Sequence, residues 1–104
     1  MKEIVLADFQ GEVLQAQTPV LVDVYTDYCN PCRDLIPVLE QIAAARASNL
    51  RIVKVNAVSE RALASQLAVR TVPTLILFRD GQALGQRCGA VSRADLDRWL
   101  DENL

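Results

Sequence analysis

Val20-Leu21-Val22-Asp23-Val24-Tyr25 is a β-branched run that hardly alternates between apolar and polar positions, the pattern of a strand covered on both faces. It is expected at the centre of a sheet. Upstream, Ile4 to Leu6 reads as a short first strand, and Phe9 and Val13, one helical turn apart, predict a short helix ending near Gln17 before Thr18-Pro19. Downstream of Asn30-Pro31, Leu35, Ile36, Leu39, Ile42 and Ala43 recur at helical spacing, which predicts the longest helix, with Pro37 kinking it.

The second half repeats the alternation. Arg51 to Asn56 reads as a strand, and Ser59 as the N-cap of a helix with Leu63 and Leu67 on one face. Thr74 to Phe78 and Ala83 to Arg87 flank Asp80-Gly81, a dipeptide suited to the positive backbone angles of a tight hairpin turn, so these two strands should be antiparallel. Ser92 with Asp95 three residues later resembles a capping box, opening a last helix whose Leu96, Trp99 and Leu100 form an apolar stripe. The order β-α-β-α-β-α-β-β-α predicts an α/β fold. Its central sheet is mixed, with parallel strands first and an antiparallel hairpin at the C-terminal end, and helices cover both faces.

Composition narrows the function. The chain has 104 residues, 51% of them hydrophobic, enough for one core and a single domain over residues 1–104. A formal net charge of -2, scattered basic residues and only 5% aromatics exclude the electrostatic footprint of a nucleic-acid binder. The charged start Met1-Lys2-Glu3 and the absence of any apolar stretch of membrane-spanning length lead to the expectation of a soluble, cytoplasmic protein with no membrane partner. The three cysteines do not make a disulfide framework of the secreted kind, and two of them are three positions apart.

That pair, in Tyr28-Cys29-Asn30-Pro31-Cys32-Arg33, falls where the central strand ends and the long helix begins. Free amides and aligned peptide dipoles at a helix start favour a thiolate over a thiol, so Cys29 should be the nucleophile and Cys32, one turn inward, the shielded thiol. Pro31 suits a first helical turn and stiffens the short ring that a Cys29–Cys32 disulfide would close. Zinc is disfavoured because four ligands are needed and the chain has no histidine and no second cysteine pair. A purely structural bridge is disfavoured because so short a ring constrains the unfolded chain little.

Three other residues keep two readings. Asp23 is either a solvent-facing strand residue or a carboxylate inside a doubly covered run, where an unpaired charge costs several kcal/mol. Pro73 reads as trans, as most such bonds are. Cys88 reads first as a small buried apolar group.

Asp23, the Cys-X-Pro-Cys segment, Pro37, Lys54, Val72-Pro73-Thr74, Asp80-Gly81 and Gly89 follow the order and spacing of the thioredoxin family, which the chain resembles over nearly its whole length. The resemblance implies the thioredoxin fold and thiol-disulfide oxidoreductase activity, with Cys29 attacking and Cys32 resolving. It implies that Asp23 is the buried proton acceptor behind Cys32, that Lys54 is its partner and that Pro73 is cis. Substrate would meet Tyr28, Asn30, Pro31, the backbone at Val72, Pro73 and Gly89. Cys88 would then lie at the rim of the groove as a third redox thiol. The sequence departs from the family where Tyr25 and Tyr28 replace tryptophans, Asn30 replaces glycine and Val58 stands where aspartate is usual. The Asn30 amide is expected to stabilise a thiolate and make the pair more oxidising.

The expected function is protein disulfide reduction by a monomer. Its redox group would be its own Cys29–Cys32 disulfide, with no bound cofactor and no metal. Its partners would be disulfide-containing proteins and a thioredoxin reductase that regenerates the dithiol. The alternatives are a thioredoxin-fold binding or redox-switch module with little turnover, and a more oxidising oxidase or isomerase.

Overall fold

The computed structural model describes residues 1–104. Five strands form one mixed sheet: β1 (Lys2–Glu3), β2 (Val20–Tyr25), β3 (Arg51–Asn56), β4 (Thr74–Arg79) and β5 (Gln82–Cys88), in the order β1-β3-β2-β4-β5. β1 and β2 run parallel to β3, while β4 is antiparallel to β2 and β5 antiparallel to β4. The helices are α1 (Asn30–Ala45), α2 (Arg61–Gln66) and α3 (Arg93–Asn103). This is the mixed sheet with a C-terminal hairpin that the alternation predicts, and it is the thioredoxin fold.

The unalternating run in β2 is explained by two cores, one on each face of the sheet. Val20, Val22 and Val24 join Val53, Val55, Ile76, Phe78 and Leu63 on one side. Leu21 joins Ile52, Leu75, Leu77, three apolar residues of α1 (Leu35, Leu39, Ile42) and three of α3 (Leu96, Trp99, Leu100) on the other. Alternate residues point to opposite faces, so Asp23 follows Leu21 onto the α1 side, as Lys54 follows Ile52. Burying each of these leucines, valines and isoleucines contributes about 1.5–3 kcal/mol over leaving it exposed. Arg46 near the end of α1 fastens α3 through Asp97 at 3.1 Å and Asp101 at 2.8 Å.

Several elements depart from the sequence expectation. The first strand is Lys2–Glu3 rather than Ile4 to Leu6. Ile4 still donates its N–H to the Lys54 carbonyl at 2.9 Å and is fully buried. Beyond it the chain leaves the sheet, because the Asp8 carboxylate accepts the Val5 N–H at 3.2 Å and closes a turn. The expected helix to Gln17 is instead a 3-10 turn at Leu6–Asp8 and a wider π turn at Gln10–Leu14, although Phe9 and Val13 are buried as their spacing predicts.

α2 begins at Arg61 with Glu60, not Ser59, at the cap. Asn56 explains the difference, since its Oδ1 accepts the Val58 N–H at 2.9 Å and the Ser59 N–H at 3.3 Å, holding Ser59 in the preceding turn. Leu67 lies just past the end of α2. By contrast, Asp80 (φ 53°) and Gly81 (φ 79°) form the expected hairpin turn. Ser92 caps α3 by accepting the Asp95 N–H at 3.1 Å, and α1 runs on through Pro37.

Candidate functional site

The end of β2, the start of β4 and the end of β5 meet at one edge of the sheet, because Val24 is opposite Thr74 and Thr74 is opposite Cys88. Between β2 and α1 lies Cys29, extended (φ -105°, ψ 107°) and serving as the cap of α1. Its Sγ accepts the Cys32 N–H at 3.1 Å, and Pro31 occupies the first turn, where its missing N–H breaks no helical bond. Cys29 and Cys32 are joined in a disulfide, with Cα atoms 5.2 Å apart. Cys29 is half-buried, whereas Cys32 is 3% exposed. A partner can therefore reach the first sulfur and not the second. Asn30 and Pro31 are exposed, and the Asn30 side chain makes no hydrogen bond, so the donor on the Cys29 sulfur is backbone and not the Asn30 amide.

Behind the disulfide is a cavity of about 350 Å³ bounded by Asp23, Tyr25, Thr26, Asp27, Cys32, Arg33, Ile36 and Lys54. Asp23 is 2% exposed, and its Oδ1 has no hydrogen-bond donor, which excludes the solvent-facing reading. Burial pushes its carboxyl up to about 6, with Lys54 pulling down and Glu3 pushing up. A group with this affinity for protons, sharing a cavity with Cys32, can hold or release one near neutral pH. Lys54 is the register partner of Asp23 in β3. Its ammonium makes no ion pair with that carboxylate and lies 4.6 Å from the centroid of the Tyr25 ring.

The Val72-Pro73 bond is cis, unlike the reading from the residues alone. The Pro73 carbonyl accepts the Gly89 N–H at 2.9 Å, and Gly89 has φ 81°, which a residue with a Cβ adopts only under strain. Val72 is half-buried and Pro73 buried. Cys88 is exposed, which overturns its reading as a buried apolar group: β5 is an edge strand, and at this end nothing covers it. The Thr74 hydroxyl lies 3.6 Å from its sulfur. Tyr28 stands 94% exposed beside Cys29.

The cavity also contains residues that sequence reasoning does not assign to the site. Arg33 donates to the Asp27 carbonyl at 3.0 Å, and the Asn56 amide donates to the Asp27 carboxylate at 3.3 Å, tying the loop after β2 to α1 and to the end of β3. The Tyr25 hydroxyl donates to Glu3. The signal for that contact is the register of β1 against β3, which is lost once the first strand is placed two residues late. Nowhere do three or more His, Cys, Asp or Glu side chains come together to hold a metal, and no helix is long and apolar enough to cross a membrane.

Comparison with known proteins agrees with this geometry. A family model described as Thioredoxin matches residues 1–102. Thioredoxin 1 of Synechococcus elongatus is 41% identical over 98 residues, which cover 94% of this chain and 92% of that protein. Thioredoxin C-2 of Corynebacterium nephridii is 39% identical over 97 residues, covering 93% and 90%. The thioredoxin of Rhodospirillum rubrum is 34% identical over 104 residues, the full length of both. With a Cys-X-Pro-Cys disulfide capping the long helix and these matches along its length, the chain belongs to the thioredoxin family of thiol-disulfide oxidoreductases.

Proposed function

We propose that this chain is a protein disulfide reductase, working as one monomeric domain over residues 1–104. The observation that carries the proposal is the asymmetry of the pair: a reachable Cys29 sulfur at the start of α1, and a shielded Cys32 sharing a cavity with the buried Asp23.

In the reduced form the Cys29 thiolate attacks one sulfur of a substrate disulfide. A Cys29–substrate bond forms, and the other substrate sulfur leaves as a thiolate that takes a proton from water. Asp23 accepts the Cys32 proton, the Cys32 thiolate attacks the Cys29 sulfur, and the second substrate sulfur leaves reduced. Two electrons have passed to the substrate, and the chain is left oxidised, with Cys29 and Cys32 joined in a disulfide. A disulfide reductase of the thioredoxin reductase class returns them. Lys54 offsets part of the rise that burial gives the Asp23 carboxyl. An extended substrate segment lies against Tyr28, Asn30 and Pro31 on one side and against Val72, Pro73 and Gly89 on the other. A reducing cytoplasm is the compartment in which this cycle can be sustained.

The test is insulin reduction with dithiothreitol, followed by turnover coupled to thioredoxin reductase. Catalysis in both supports the proposal. Tight partner binding with no turnover in either assay would replace it with the docking-module reading.

A further inference from the structure

We propose that Glu3, acting through the Tyr25 hydroxyl, is a positioning residue that sets how strongly Lys54 acts on Asp23. The inference starts from strand register. Glu3 on β1 and Asp23 on β2 are both register partners of Lys54 on β3, so the cation lies between two carboxylates on one face of the sheet. It forms an ion pair with neither. Instead the Tyr25 ring reaches from β2 across β3, its hydroxyl donates to the Glu3 carboxylate at 2.5 Å, and the Lys54 ammonium rests 4.6 Å from the centroid of that ring. The tyrosine hydroxyl occupies Glu3, and the tyrosine face occupies Lys54.

Burial sets the high proton affinity of Asp23, and because its Oδ1 has no donor, what adjusts that affinity further is through-space charge. The groups facing it are Lys54 from β3, Glu3 from β1, Tyr25 from its own strand, Asp27 from the loop after β2, and Cys32 and Arg33 from α1. On β4 its register partner is the apolar Leu75. Among these, Glu3 is the one whose charge both repels the Asp23 charge directly and competes for the same cation.

The two partners of one hydrogen bond should therefore act in opposite directions. Glu3→Gln keeps an acceptor for the hydroxyl and removes a negative charge about two strand spacings, roughly 10 Å, from Asp23. The Asp23 titration midpoint then falls by roughly half a pH unit at an intermediate dielectric. Tyr25→Phe keeps the ring and removes the donor. The Glu3 carboxylate then turns to its register partner Lys54 and draws the cation away, so the midpoint rises. Glu3→Gln combined with Tyr25→Phe returns the midpoint below that of the wild type, since nothing then pulls Lys54 aside.

Carbon-13 NMR titration of the Asp23 carboxyl in the oxidised protein reads these midpoints without reference to activity. A fall, a rise and a fall in the three variants support the inference. A bond that only holds β1 in place predicts that Tyr25→Phe lets β1 and its Glu3 charge move off, a fall like that of Glu3→Gln, so shifts of one sign, or none, would overturn the inference. The consequence for turnover rests on Asp23 handling the Cys32 proton, and Asp23→Asn isolates that reading. If this variant left the pH profile of insulin reduction unchanged while the NMR midpoints moved as stated, the proton-handling role would fail and the assignment of Glu3 would stand.

Discussion

Replacing Asp23 with asparagine isolates the energy of a buried charge. In the folded protein the carboxyl is raised by burial from 3.8 to about 6, and it is 2% exposed, so solvent screens it little. The unfolded chain releases the same proton near 3.8, so between these values the folded state holds a proton that the unfolded state has lost. The contribution to stability is therefore greatest below about pH 4, falls as pH rises through about 6, and is level above that. A separation of about two pH units corresponds to roughly 3 kcal/mol, a large share of the 5–15 kcal/mol typical of a domain. The asparagine side chain of the Asp23→Asn variant carries no such slope, and burying its amide adds an offset independent of pH. Guanidinium unfolding of the oxidised protein, followed by the single Trp99, is to be measured for both chains from about pH 4 to 8. Over this range the difference in unfolding free energy should grow in favour of Asp23→Asn by roughly 2.5 kcal/mol, most of it between about pH 4 and about pH 6. A difference that stays constant across this range refutes the reasoning.

Other outcomes follow from the same geometry. Cys29→Ser should abolish insulin reduction, whereas Cys32→Ser should accumulate a substrate-linked species visible on a non-reducing gel and released by dithiothreitol. Because Cys88 is the one free and exposed cysteine, the oxidised chain should take up one iodoacetamide per molecule by mass spectrometry, and the reduced, unfolded chain three. Leu39→Ala, at a fully buried position of α1, should cost about 2–5 kcal/mol in guanidinium unfolding while leaving the Cys29–Cys32 disulfide able to form.

The parts of this fold that can be read from sequence are those whose determinants lie close together along the chain. Asp80-Gly81 announces its turn because two adjacent residues must take positive φ. The Cys29 cap and Pro31 announce the start of α1 because the first turn contains all that it needs. β1 escapes such a reading because a two-residue strand has no pattern of its own; it is held by Lys54 and Val53, some fifty residues away, and ended by Asp8. The start of α2 escapes it for a related reason, since Ser59 is a good cap in isolation and Asn56 already engages its N–H. Residues alone favour a trans Pro73, and the family resemblance supplies the cis bond that the structure contains. The exposure of Cys88 is hidden because burial on an edge strand depends on what lies beyond the edge.

This difference between near and distant determinants also divides the exchange chemistry. The environment of Cys29 is assembled from four consecutive residues, with the Cys32 N–H as the donor on its sulfur. Changes on the far side of the sheet leave that donor in place, so the acidity of the attacking thiol should survive them. The environment of Asp23 is assembled from β1, β2, β3 and α1, with the carboxyl oxygen Oδ1 satisfied by none of them. Its acidity therefore depends on strand register and on the few charges the strands bring near it. With Asp23 in its proposed role as acceptor of the Cys32 proton, the resolving step is the one that substitutions away from the cysteines can tune. A variant that alters the pH dependence of resolution without altering the alkylation of Cys29 identifies a residue acting on this second environment.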